Sequence, residues 1–243
     1  MRISPELSVG ALVAERIGRA RVFERLGIDY CCRGATSLGS ACAARSLDVD
    51  QVLAELAESD VSDLSEDEDR IDWNATSVPG LVDHIVATHH VFLRRELPRL
   101  ARLIETVVDA HGSRHPELTE LREMFAGLQA ELESHMVKEE QVLFPLAKRL
   151  AAADAPFPIH CGTVDNPIRV MEHEHEAVGE VLDRLRILTG DYQPPADGCP
   201  TFQALYEGLA RLEADLHRHI HKENNVLFPK TAALEAALIG SGP

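Results

Sequence analysis

Six side chains of metal-binding type recur in a pattern that a helix would gather on one face. The run His135-Met-Val-Lys-Glu139-Glu-Gln-Val-Leu-Phe-Pro145 returns in the second half as His219-Ile-His-Lys-Glu223-Asn-Asn-Val-Leu-Phe-Pro229. A histidine lies upstream of each copy, His90 and His175. Residues four apart on a helix share a face, so each copy presents an imidazole and a carboxylate together. Nitrogen and oxygen donors of these types are those of a transition-metal site. The duplication predicts a site assembled from two similar halves.

The chain has 12 histidines, so ligands must be separated from bystanders. A ligand in a helical bundle must lie on the apolar seam that faces the core. His135 lies in register with Leu128, Leu132, Val142 and Leu143, and His219 with Leu212, Leu216, Val226 and Leu227. His90 is in register with Val86, Leu93, Leu97 and Leu100, and His175 with Met171, Val178, Leu182 and Leu185. All four are therefore expected to point inward. Neighbouring His89 shares its register with Glu96 and Arg99 and is placed at most at the edge. His173, among Arg169, Glu176, Glu180 and Asp183, is expected to face water, and His217 and His221 read as surface. The remaining histidines fall off the seam or near helix ends and loops. One inward histidine beside a glutamate is ordinarily a core hydrogen-bonded pair. Four such histidines and two seam carboxylates in matched copies favour metal, because a buried carboxylate is costly unless paired or ligated.

Four imidazoles and two carboxylates exceed one tetrahedral zinc site. They suit two six-coordinate ions, each taking two histidines and one oxygen from each of Glu139 and Glu223. That arrangement leaves room for an oxo or hydroxo bridge and an open position. Such mixed ligation favours two iron ions, with manganese as an alternative.

The elements that must position these residues are legible from caps and periodicity. Four long helices are expected, from Ser77 to about 110, from Pro116 to about 150, from Asn166 to about 190 and from Pro200 to about 238. Two helix hairpins joined by a longer crossover make an all-α, four-helix bundle over residues 73–243. The crossover carries an insertion-like stretch, Pro156 to Val164, with Cys161. Residues 59–72 are acidic and poor in large apolar side chains, which predicts a linker. Residues 1–58 form a small N-terminal helical domain. There one amphipathic helix is expected up to Gly27, a helix-ending residue, followed by a turn with the adjacent pair Cys31-Cys32 and then short helices over 38–45 and 49–58.

A formal net charge of −16 argues against binding to nucleic acid or anionic membranes. No apolar run approaches the roughly 20 residues of a membrane helix, and arginines interrupt any signal-peptide core, so a cytoplasmic protein is expected. Five cysteines in a reducing compartment are free thiols by default. Cys31 and Cys32 are candidate redox or docking thiols, and adjacent Arg33 would lower a thiol pKa. Plain core filler is the competing reading.

The bundle resembles a hemerythrin-like domain through its duplicated His-x-x-x-Glu helices. The segment Leu26-Gly-Ile-Asp-Tyr-Cys-Cys-Arg-Gly34 resembles the short domain preceding such bundles in the Repair of Iron Centres family. These are bacterial di-iron proteins that repair iron–sulfur clusters damaged by nitric oxide or peroxide. The resemblance covers nearly the whole chain and implies iron ligation by His90, His135, Glu139, His175, His219 and Glu223, with the two glutamates bridging. It further implies Glu131 and Glu174 as carboxylates near the iron site, paired cysteines at Cys31 and Cys32, and damaged iron–sulfur proteins as partners. Two other functions fit the same residues: a nitric oxide reductase, and a carrier or sensor of O₂ or NO. A homo-oligomer is compatible with all three.

Overall fold

In a computed structural model of the chain, residues 3–61 and 72–240 are described. The expected linker therefore lies mostly outside the described residues. Eleven α-helices are present among them: α1 (Val9–Glu15), α2 (Ala20–Leu26), α3 (Leu38–Ala44), α4 (Val49–Val61), α5 (Val78–Ile85), α6 (Val91–His111), α7 (Glu117–Lys138), α8 (Phe144–Ala151), α9 (Asp165–Leu188), α10 (Pro200–Lys222) and α11 (Phe228–Gly240). No helix among the described residues is long and apolar enough to cross a membrane.

The long helices start and stop close to where the caps predict. Ser77 Oγ accepts the Gly80 amide at 3.3 Å and opens α5. Three of the four are interrupted by a π turn: Val86–His90 between α5 and α6, Glu139–Leu143 between α7 and α8, and Glu223–Leu227 between α10 and α11. A π turn holds one extra residue and is often found at functional sites. Each of these begins or ends at a candidate ligand.

The chain divides into two compact units. One comprises His84–Leu146 and Asp165–Leu216 and is a four-helix bundle. In it α6 packs on α7 and α7 on α9. Arg186 of α9 reaches Glu213 of α10 at 2.8 Å. Its core is the predicted seam, including Leu93, Leu97, Leu128, Leu132, Val178 and Leu182, all nearly without exposure.

The other unit comprises Met1–Asp83, Ala147–Val164 and His217–Pro243. Its first helix is shorter than the periodicity predicts. Arg16 adopts an extended conformation (φ −146°) and ends α1, and a 3₁₀ turn, Ile17–Arg19, leads into α2. The break turns Arg19 inward. Its guanidinium donates to the Leu12 carbonyl at 2.9 Å and to Glu15 and Asp60 at 2.7 Å, tying α1 to α4. A continuous helix would leave the last carbonyls of α1 in helical bonds and Arg19 without this role. Gly27 is left-handed (φ 65°) and ends α2 as its position predicts. In the crossover, the Val164 amide donates to both oxygens of Glu235, at 3.2 and 3.0 Å, and the Arg149 guanidinium stacks 3.8 Å from the centre of the Phe157 ring. Cys161 is partly exposed there.

Candidate metal centre

His135 and Glu139 lie one turn apart at the C-terminal end of α7, as their spacing requires. Glu139 is fully buried, and neither of its carboxylate oxygens accepts a hydrogen bond. Its two oxygens face different imidazoles. Oε2 lies 3.3 Å from Nε2 of His90, and Oε1 lies 3.3 Å from Nε2 of His135. His175 Nε2 is 3.1 Å from His135 Nε2. On α10 and the turn after it, His219 Nε2 lies 3.1 Å from Glu223 Oε1.

Two carboxylates fix which nitrogen of the histidines faces inward. Glu140 Oε1 is 2.6 Å from Nδ1 of His90, and Glu174 Oε2 is 2.8 Å from Nδ1 of His135. Burial acts to raise the pKa of Glu140, but hydrogen bonds from His90 and Arg94 hold it below the usual carboxylate value. Burial likewise opposes ionisation of Glu174, and Lys138 and His135 overcome it. An ionised carboxylate only accepts, so Nδ1 of each ring carries the proton. The Nε2 lone pairs of His90 and His135 then point at the two Glu139 oxygens. A lone pair and a carboxylate oxygen 3.3 Å apart repel unless a cation lies between them. The donor set therefore fits a metal better than a conventional core hydrogen-bond network.

Within the bundle unit, donor atoms of His135, Glu139 and His175 lie within 4.8 Å of one another, and His90 faces the same Glu139. In the other unit His219 and Glu223 are paired. Each unit thus keeps together the residues of its own share of the six selected by register.

Other sequence expectations fare differently. His173 faces water, its side chain 85% exposed. Glu131 is exposed, whereas Glu174 touches a site histidine. His89 is buried rather than at the edge, with Nδ1 2.9 Å from Asp215 Oδ1. The π turn Val86–His90 is the cause, since its wider winding turns two successive histidines inward. His221 is fully buried rather than on the surface. Its Nδ1 donates to the Tyr30 carbonyl at 3.3 Å, and burial pushes its pKa down to about 3. His221 lies off the bundle seam, on a second buried face whose partner, the Tyr30 carbonyl, is remote in sequence. Glu140 was missed as well. The asymmetry of the repeat, Glu140 against Asn224, was the available signal.

The turn bearing the cysteines docks on the same stretch as His219 and Glu223. Asn225 Nδ2 donates to the carbonyls of Tyr30 and Cys31, at 3.5 and 3.0 Å. Gly10 and Gly34 make this approach possible. A Cβ on either would come within 2.2 and 2.0 Å, respectively, of Asn225 Oδ1. Asp29 Oδ1 accepts the amides of Cys31 and Cys32 at 3.0 and 2.9 Å, and lies 3.3 Å from Cys31 Sγ. The two sulfurs are 3.8 Å apart, with the Cys31 thiol donating to Cys32 and no disulfide between them. Cys31 is buried, and the Cys32 neighbour, burial and Asp29 push its thiol well above the usual pKa. This corrects the expectation drawn from Arg33, which is exposed while Asp29 faces the sulfur.

Comparison with known proteins defines the class. Residues 81–231 match the hemerythrin HHE cation binding domain, a span containing all six site residues. Residues 6–60 match the ScdA_N domain, described as a domain of unknown function (DUF542). The chain is 37% identical over 227 residues to an iron-sulfur cluster repair protein YtfE of Enterobacter sp. (strain 638), covering 93% of this chain and 97% of that one. YtfE proteins of Escherichia coli O1:K1 / APEC and Escherichia fergusonii are 37% identical over 214 residues, covering 88% of this chain and 91% of theirs. The chain belongs to the YtfE family of hemerythrin-type proteins.

Proposed function

We propose that the centre holds two iron ions and that the protein supplies iron to iron–sulfur clusters damaged by nitrosative or oxidative stress in the cytoplasm. The observation carrying this reading is Glu139, a fully buried carboxylate without a hydrogen bond whose two oxygens face two different imidazoles. This supports Glu139 as a residue that would serve two ions, one through each oxygen. His90 and His219 would hold one ion, His135 and His175 the other, and Glu139 and Glu223 both. Bound iron would supply redox-active, exchangeable ions under-coordinated by protein. Glu140 and Glu174 keep the proton on Nδ1 of His90 and His135 and so hold Nε2 ready to ligate. Phe144, stacked at 5.7 Å on the His90 ring, helps keep water from that ligand.

The resemblance to proteins named for iron–sulfur cluster repair supports the recipient class. The docking of the cysteine turn on the segment carrying His219 and Glu223 favours repair over a simple gas carrier, which has no need of thiols there. Cys31 and Cys32 would engage the recipient, with residues 1–58 as the thiol-bearing part and 73–243 as the iron-bearing part. The test mixes iron-loaded protein with an iron–sulfur enzyme whose cluster has been nitrosylated or removed. Activity should recover beyond a control with the same amount of free iron. Recovery equal to that control refutes the reading.

A further inference from the structure

A second reactive constellation lies in the bundle unit and involves none of the residues above. Cys199 immediately precedes α10, and its Sγ is 3.3 Å from Nε2 of His111, the last residue of α6. His111 is buried, 6% exposed, with its ring edge-on to Phe202 at 5.3 Å. Its other nitrogen, Nδ1, is 3.2 Å from Nη2 of Arg114. A guanidinium has donors only, so Nδ1 accepts. The proton of neutral His111 is then on Nε2, and Nε2–H donates to the sulfur. The amide of Phe202 and the amide and hydroxyl of Thr201, at the start of α10, also favour the charged form of the sulfur. Led by the Phe202 amide and then His111, these donors outweigh burial and push the thiol down to about 7. The N-terminus of a 23-residue helix adds its positive end. The charged groups around this cluster are Arg114, which pairs with Asp197 at 3.2 Å, and His115, which lies 3.0 Å from Glu117 and 3.1 Å from Asp197.

We propose that Cys199 is an oxidation site, a thiolate activated by His111 and the start of α10 whose co-substrate is a peroxide. A helix-start cysteine alone would carry little. Here a buried imidazole, held in one tautomer by an arginine, is aimed at the sulfur. This is the arrangement that activates a nucleophilic thiol. The thiolate attacks one oxygen of hydrogen peroxide. The S–O bond forms as the O–O bond breaks, sulfur is oxidised by two electrons to sulfenic acid, and the departing hydroxide takes up the proton that the thiol released to solvent on ionising and leaves as water. Cys199 is partly exposed, so a molecule of that size can reach it.

Two measurements on the full-length chain test this independently of the metal centre. The first is the pH profile of iodoacetamide alkylation, read peptide by peptide in a mass spectrometer with Cys161 as the internal comparator. Alkylation of Cys199 should be half-maximal near pH 7, slow below it as the thiol protonates, and flat above it. At pH 7 the larger thiolate fraction, reduced by the lower nucleophilicity of a weakly basic thiolate, should leave Cys199 roughly threefold faster than an ordinary thiol. His111→Phe should move the midpoint toward about 8.5, the value of a free cysteine. Arg114→Gln, at an exposed position, should move it in the same direction by releasing the tautomer, and it tests the idea should His111→Phe not fold. The second measurement traps sulfenic acid with dimedone after peroxide treatment in chelator-containing buffer. The adduct should form on Cys199 ahead of Cys161 and be lost in both variants. A wild-type midpoint near 8.5, or an adduct absent from Cys199, overturns the proposal.

Discussion

At the scale of single residues, Glu139 has the most to explain, because a carboxylate with no exposure and no hydrogen-bond donor is expensive unless a cation neutralises it. Removing it should therefore cost the metal and spare the fold. Glu139→Ala is expected to bind less than one equivalent of iron per chain while its circular dichroism and apo-state unfolding midpoint stay at or above those of metal-free wild type. Retention of two irons would contradict the bridging role. The outer carboxylates make a subtler demand. Glu140 and Glu174 act through the imidazoles they touch, so Glu140→Gln should leave the ligands in place yet weaken metal binding by about 10- to 100-fold. Competition against a chelator of known affinity measures this. Equal affinity in the variant would mean that Nδ1 protonation of His90 needs no help from Glu140.

At the scale of elements, the informative features are departures from regular helix. A constant period of 3.6 residues suffices to place His90, His135, His175 and His219 inward and His173 outward, because the first four lie in register with apolar residues one and two turns away and His173 with charged ones. It fails at His89, where the π turn Val86–His90 turns two neighbours inward. It fails at Arg16, where the break of α1 answers to Arg19 and its distant partner Asp60 rather than to any local pattern. Glu140 and His221 were illegible for a related reason. Their partners, His90 and the Tyr30 carbonyl, are remote in sequence. The turn holding the cysteines depends on such a remote contact, and this gives a prediction for the element. Gly34→Ala places a methyl group against Asn225 and the Tyr30 carbonyl, and an overpacked contact of that kind costs about 1–3 kcal/mol. Asn225→Ala loses two hydrogen bonds but opens the space. The double variant should then be less destabilised than the sum of the single changes, a coupling that urea unfolding of the four proteins would measure. Strict additivity would mean that the turn is not seated on Asn225.

At the scale of the whole molecule, the compact unit that contains the N-terminal helices also contains the C-terminal stretch from His217 onward. The two parts are far apart in sequence, and the bonds between them are specific. α1 packs on the π turn Glu223–Leu227, His221 is sealed beneath the Tyr30 carbonyl, and Lys222 is buried with its Nζ 4.9 Å from the centre of the Trp73 ring. A segment that merely rides on a tether would share no such core. Removing it should uncover apolar and polar groups that are now dry, including His221 and Val226, each now at most 2% exposed. A chain beginning at residue 72 is therefore expected to keep its helical content, to unfold at a lower urea concentration than the full chain, and to bind more of an environment-sensitive apolar dye. Its metal affinity should fall as well, because Glu223 opens the π turn on which α1 rests and a binding group held less firmly gives up part of its affinity to ordering cost. Supplying residues 1–61 as a separate chain should partly restore both the midpoint and the affinity, with a concentration dependence that reports docking. If the shortened chain matches the full one in midpoint, dye binding and metal affinity, the N-terminal helices stabilise nothing in the metal-bearing half, and their cysteines must act from a segment independent of it.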